Sequence, residues 1–352
     1  MTRFLQLHYL TIYPPSNPNR DDLGRPKSAT YGGAPRLRIS SQALKRAARI
    51  SDVMQRDLAG HLGARTQRIG EVVRDALLAE GAEAKKAAEI AEGIVDIFGK
   101  VDAKNKARTR QLAFISPQEK ATAIEWAQKA LAGEKLPDNK ELKKLVLRRA
   151  DGAADVAMFG RMLADDPDFN REAAVQVSHA ITTHKALVED DFYTAVDDLK
   201  KTAEDAGAGF LGEAGFGSGV FYLYVCVDTD LLLENLNGDT ALAKQAIGAL
   251  TEALAVSTPS GKKNSFAHQT RASYIRAECG TQQPRSLAGA FFKPVAGEDL
   301  MAVSVTALEE MADRLDGAYG TCCEASAMMD ITTGHGSLAD IRSFAEGCAG
   351  NV

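Results

Sequence analysis

An α+β fold, a sandwich built around an antiparallel sheet, is what this 352-residue sequence predicts. Three observations carry that expectation. The segments run strand, helix, insertion, strand, helix, strand rather than in strict βα alternation. Residues 64–150 form a helix-rich block that would not sit inside a sheet. The stretch from Lys185 through Gly219 is acidic and glycine-rich with little helical periodicity, which predicts an extended hairpin.

Phe4–Tyr13 is nearly all apolar and rich in aromatic and branched residues, so it reads as a buried strand. Tyr13-Pro-Pro-Ser-Asn-Pro-Asn-Arg20 is expected to end it, because three prolines remove ladder donors. A loop to about Pro35 follows, with Gly32-Gly33 supplying unusual backbone angles. Leu37–Ile39 is a short extended piece, and Ser40 or Ser41 caps a helix from Gln42 to about Leu58. Helical spacing recurs over Thr66–Ala79 and Ala84–Phe98. Ser116-Pro-Gln-Glu119 is a capping box opening a helix that ends near Gly133, and another helix is expected over Asp138–Ala150. Asn170–His184 reads as a further helix, with His184 a packed core residue. Gly219–Val227 is a buried strand, Thr240–Val256 a helix, Ala272–Glu278 a strand and Met301–Leu315 a helix, while Ser337 caps a last short one.

Apolar residues at 45% fill a sizeable core, but the longest apolar run is the eight residues Val220–Val227. A membrane span needs roughly 20, and no basic-then-apolar leader precedes Phe4, so neither spanning nor secretion is expected. Five cysteines without CxxC spacing argue against a disulfide framework or a zinc module and for the reducing cytoplasm. The net charge of −5 is unevenly placed: residues 1–150 carry 28 Lys+Arg against 17 Asp+Glu, and residues 151–352 carry 14 against 30. Such a split suits a polyanion at one end, or self-association of basic end on acidic end.

The sharpest local signal is Arg36-Leu-Arg-Ile-Ser-Ser-Gln-Ala-Leu-Lys-Arg-Ala-Ala-Arg49. Gln42, Lys45, Arg46 and Arg49 stand at i, i+3, i+4 and i+7 on one helix face, with Ala43, Leu44, Ala47 and Ile50 turned inward. With the helix N-terminus and the hydroxyls of Ser40 and Ser41, this makes a row of phosphate binders about 10 Å long at ~1.5 Å per residue. A solvated surface face is the bland reading; no acidic partner at i±4 favours the polyanion. Lys140, Lys143, Lys144 and Arg148 form a second basic stripe. No nucleophile, base and acid stand close together, and neither a Walker nor a Rossmann fingerprint occurs. The residues point to nucleic-acid binding.

The same residues resemble the CasC family, the backbone subunit of the CRISPR type I-E Cascade complex. The resemblance rests on Asn19-Arg-Asp-Asp22, Gly32-Gly33, Arg38-Ile-Ser-Ser-Gln-Ala-Leu-Lys-Arg46, Phe159-Gly-Arg-Met162, Ser178-His-Ala-Ile-Thr-Thr-His184, Thr194-Ala-Val-Asp-Asp198, Ser218-Gly-Val-Phe-Tyr222 and Pro284-Arg-Ser-Leu287. It implies a modified RNA-recognition-motif (ferredoxin-like) palm with a helical finger insertion and a thumb hairpin. The palm would comprise 1–59, a helix at 166–187, and 219–352; the fingers 60–165; the thumb 188–218. Copies would stack head to tail along CRISPR RNA, beside other Cascade subunits, and present guide bases to target DNA. Asn19, Arg20, Lys27, Arg38, Ser40, Ser41, Gln42, Lys45, Arg46 and Arg49 would hold the guide backbone. Met162 and Thr194 would sit where bases are flipped. Lys140, Lys143, Lys144 and Arg148 would contact target DNA. No catalytic residue, metal or cofactor is expected. The alternative is a metal-dependent ribonuclease, since related RNA-targeting backbone subunits cleave with an aspartate after the first strand, where Asp21 and Asp22 stand.

Overall fold

The computed structural model describes residues 2–163, 166–195 and 210–349. Its centre is β1 (Phe4–Ser16), flanked by β9 (Phe210–Asp228) and β10 (Ala272–Gly280), all antiparallel. The sheet continues as β11–β10–β1–β9–β7–β3–β2, with β11 at Ala325–Asp330, β7 at Ala180–Thr182, β3 at Ala34–Ile39 and β2 at Ser28–Tyr31. Two further strands, β6 (Val175–Val177) and β8 (Glu189–Ala195), also pair with β9. On one face, Leu5, Leu7, Tyr9, Val225 and Ile275 pack against α1 (Ser41–Arg49), α2 (Asp52–Asp57), α9 (Thr240–Val256) and α12 (Leu338–Cys348). On the other, Leu10, Tyr222 and Tyr274 meet Phe291 and α11 (Leu300–Tyr319). Alternation along β1 supplies both faces, so the sheet is buried on both sides.

The insertion has its own core. Helices α3 (Ile69–Ala79), α4 (Ala84–Val95), α5 (Pro117–Leu131) and α6 (Asn139–Val146) enclose Val73, Ile94, Ala127 and Val146. A two-strand ribbon, β4 (Ala64–Thr66) with β5 (Ala113–Ile115), lies at its base. The capping box holds, with Ser116 Oγ accepting the Glu119 N–H and the Glu119 carboxylate accepting the Ser116 N–H, both at 3.0 Å. Helix α7 (Ala154–Phe159) returns the chain to the sheet. Among the described residues no helix is long and apolar enough to cross a membrane. All five cysteines are free thiols.

Six local expectations are corrected. Strand β1 runs through Pro14 and Pro15 to Ser16, because the register with β9 shifts between Tyr13 and Ser16 and leaves no ladder position for them. The 20–35 loop contains β2, joined to β3 by Gly32 and Gly33 at φ +58° and +73°, angles a two-residue hairpin turn requires. The 42–58 helix is two helices: Ser51 Oγ accepts the Met54 N–H and starts α2 afresh. Asn170–His184 is not helical but forms β6 and β7, drawn in by the open edge of β9. His184 is accordingly no core residue; its Nε2 accepts the Val220 N–H at 3.2 Å. Helix α6 ends at Val146, so Arg148 leaves the stripe of Lys140, Lys143 and Lys144.

The extended hairpin is present as β8 paired with the first half of β9, in register from Glu189↔Phe216 to Ala195↔Phe210. Residues 196–209 of the expected 188–218 span lie outside the described residues, as do 164 and 165 near the insertion's end.

Candidate nucleic-acid interface

Nine cations crowd the first 50 residues, and the fold divides them. Arg3 pairs with Glu324 at 3.0 Å and Arg25 with Asp190 at 2.8 Å. Arg36 is 0% exposed and donates to the carbonyls of Thr182 and Phe291 at 2.9 and 2.8 Å, so it ties sheet to loop and is not available to a ligand. Arg20, Lys27, Arg38, Lys45, Arg46 and Arg49 remain.

These six form two linked groups. Asn19 is the link: its Oδ1 accepts the Ser40 N–H at 2.8 Å and its carbonyl accepts the Lys27 N–H at 2.9 Å. Lys27 in turn accepts the Arg38 N–H through its carbonyl at 2.8 Å. Arg38 Nη1 donates to His179 Nδ1 at 2.8 Å. Burial, then the charges of Arg38 and Lys27, lower the His179 pKa, which fits an acceptor nitrogen. Ser40 Oγ caps α1 by accepting the Ala43 N–H at 3.3 Å, and its own hydroxyl hydrogen stays free to donate.

Along α1 the buried side is Leu44, Ala47 and Ala48; Ile50, expected inward, is 46% exposed because the helix ends there. Gln42 and Arg46 are exposed, while Lys45 and Arg49 are half-buried. Arg46 lines a cleft of about 850 Å³ together with Asn19, Arg20, Asp21, Asp22 and Lys263. Lys45 and Arg49 turn toward the insertion, over the rings of Phe159 and Phe114 at 5.8 and 5.4 Å. Arg49 also lies 3.7 Å from Asp155, a remote partner that local charge spacing does not reveal.

The cleft's far wall is absent from the sequence reading. It is the loop Ser257-Thr-Pro-Ser-Gly-Lys-Lys-Asn264 after α9, with Lys263 and Gln269 on the cleft. A cluster of turn formers carrying two lysines was the available signal. Gly261 sits so close to Pro18 that a Cβ there would lie 2.4 Å from the Pro18 carbonyl oxygen, so the loop is docked on the 17–20 segment.

Asp21 Oδ1 accepts the N–H groups of Leu23 and Arg25 at 3.0 and 2.9 Å, holding the turn itself. Among the described residues no three His, Cys, Asp or Glu side chains gather as a metal would need.

Met162 is 82% exposed, on a hollow of about 210 Å³ with Leu112 and Arg110. Its backbone is held because Arg161 bridges to Arg171 and anchors on buried Glu119 at 2.6 Å. Thr194 lies exposed on β8, opposite Leu211. The structure therefore keeps Met162 and Thr194 apart from the α1 row, on insertion and hairpin. Of the second stripe, Lys143 is committed to Asp166 at 2.8 Å, and the Arg148 backbone serves Glu119, Arg161 and Arg171. Lys140 and Lys144 stay exposed.

The chain matches, over residues 5–345, the model of a family described as CT1975-like protein. A solved chain from a "CRISPR RNA-guided surveillance complex, pre-nicking" is 30% identical, with a TM-score of 0.84 covering 98% of this chain and 100% of that one. A second, from a "CRISPR RNA-guided surveillance complex", is 25% identical, with a TM-score of 0.74 covering 98% and 99%. No curated protein matches.

Proposed function

Since the chain belongs to the CT1975-like protein family, we propose that it is a non-catalytic, RNA-binding backbone subunit of a CRISPR Cascade surveillance complex of type I-E. One observation carries the reading. Six cations between Arg20 and Arg49 are displayed along α1 and the turn and strands that lead into it, on a fold shared over 98% of the chain with a chain of an RNA-guided surveillance complex. A guide must be held whatever its spacer, so phosphate and ribose, not base edges, are the groups to grip. Arginines and lysines without a base-reading frame suit that task, and pairing then reads the target.

The hairpin supports multimers. Phe192, 75% exposed, stands on a strand whose seven residues all face solvent, beside Glu189, Asp190 and Asp191. We assign it to RNA held by the next copy, with Glu189 and Asp191 toward that copy's basic half. Heterologous contacts of this kind generate a filament. Lys140 and Lys144 are the insertion's cations toward target DNA. The commitment of Asp21 to backbone N–H groups supports the non-catalytic role, and cytoplasmic residence follows from the guide.

The test is a salt series with two single-stranded RNAs of unrelated sequence. Wild type binds both alike, and Arg46→Ala weakens both equally while flattening the slope of log K against log salt by about 0.7 per lost contact. A loss confined to one RNA would contradict backbone recognition.

A further inference from the structure

Arg65 belongs to none of the groups above. It stands exposed on β4, at the base of the insertion. Its guanidinium lies over the Phe114 ring at 4.9 Å, and Arg49, reaching across from α1, lies over the same ring at 5.4 Å. Phe114 is buried, so the platform is fixed. Lys45, one turn before Arg49, lies over Phe159. Three cations from two separately cored parts of the chain are thus gathered at one seam.

Their charge is poorly compensated. Among the described residues the carboxylate that meets them is Asp155, 3.7 Å from Arg49. Asp155 is itself buried: one oxygen accepts the Gly63 N–H at 2.7 Å, and the other, Oδ2, has no hydrogen-bond partner. Burial first, then the charge of Arg65, holds Lys45 below the ordinary lysine range; Arg49 is lowered by burial, with Arg65 and Arg46 adding to it against Asp155. Each cation–ring contact is weak at an exposed site. Cations held together against their own repulsion, on rigid platforms, are what an anion site looks like before its anion arrives.

We propose that Lys45, Arg49 and Arg65 form a phosphodiester site at the seam between the sheet core and the helical insertion, with Arg65 carrying a nucleic-acid strand from α1 onto the insertion. This rests on the RNA-binding reading and adds a contact made by the insertion's own β4. The planar guanidinium of Arg65, already lying on a ring, offers its N–H edge to phosphate without further ordering. A strand bound here bridges the two cores, so binding also couples their stabilities.

The experiment uses the full chain and a fluorescein-labelled single-stranded RNA of mixed sequence, titrated across a salt series for wild type, Arg46→Ala, Arg65→Ala and Arg65→Lys. Arg65→Ala should bind about tenfold more weakly, with a slope shallower by about 0.7. Arg65→Lys should restore the slope, since the charge returns without the planar face. RNA should raise the unfolding midpoint reported by the single tryptophan, Trp126 on α5, less in Arg65→Ala than in wild type. If Arg46→Ala weakens binding while Arg65→Ala matches wild type in affinity and slope, the seam site is wrong and the RNA-binding reading stands. If Arg65→Lys fails to restore the slope, Arg65 acts through Phe114 packing and the site is also wrong. If wild type shows neither salt-dependent binding nor a response to Arg46→Ala, both fall.

Discussion

Glu119→Ala removes the centre of a buried ion cluster at the root of the insertion. Glu119 is 0% exposed and receives Arg161 Nη1 on both oxygens, at 2.8 and 2.6 Å. It also accepts the N–H groups of Ser116 and Arg148, and Arg171 stands 3.9 Å away. Without it, Asp151 is left to balance two buried guanidiniums. Stranding a buried charge this way costs about 3–5 kcal/mol, and loss of the α5 capping box adds about 1 kcal/mol. With a urea dependence of ~1–3 kcal/mol per M, a combined loss of about 5 kcal/mol lowers the midpoint by roughly 1.7–5 M. Trp126 is packed on the insertion's core, so its fluorescence reports that core selectively. The expected result is an early Trp126 transition, with far-ultraviolet circular dichroism of the sheet persisting to higher urea. Met162, which follows Arg161 directly, should lose its placement and RNA affinity should fall with it. A Trp126 midpoint indistinguishable from wild type would refute the reasoning.

Three more outcomes follow from particular atoms. Burial raises the Asp155 pKa to about 6 from 3.8, against the pull of the Gly63 N–H and Arg49. The native state then holds the extra proton between about pH 4 and pH 6, so this group's contribution to stability declines as pH rises through that window and is constant above it. Asp155→Asn should flatten that decline and raise stability at neutral pH by up to about 3 kcal/mol, read from urea midpoints; an unchanged pH profile would contradict the assignment. Gly261→Ala should push the 257–264 loop off Pro18 and lower RNA affinity several-fold, with a smaller effect on the Trp126 midpoint. Equal affinity would show that the cleft wall is not used. Asp21→Ala should cost about 1 kcal/mol through its two turn hydrogen bonds, and neither wild type nor variant should cut RNA with divalent metal added. Metal-dependent cleavage lost in Asp21→Ala or Asp22→Ala would restore the ribonuclease reading.

Elements with strong local chemistry were legible in the sequence. The Ser116–Glu119 capping box, the Ser337 cap of α12 and the apolar length of α9 each carry their own boundary signal. Where partner strands decide, the sequence misleads. Val177, Ile181 and His184 stand at i, i+4 and i+7 as on a helix face, yet β9 offers an edge and the branched side chains of Val175, Val177, Ile181 and Thr182 take it. The α1 cations were legible because one helix presents them. What was not legible came from remote packing: Arg36 is buried between Thr182 and Phe291, Asp155 reaches Arg49, and Lys263 and Arg65 arrive from other elements. Charge counting along the chain sees none of these, since each depends on which segments the sheet brings together.

The most direct measurement is to purify the protein from cells carrying a CRISPR array and sequence the RNA that comes with it. A backbone subunit that grips phosphate should bring down RNAs with many different spacers and common repeat-derived ends, released by high salt and reduced in Arg46→Ala. Recovery of no RNA, or of bulk RNA without repeat-derived ends, would contradict the account.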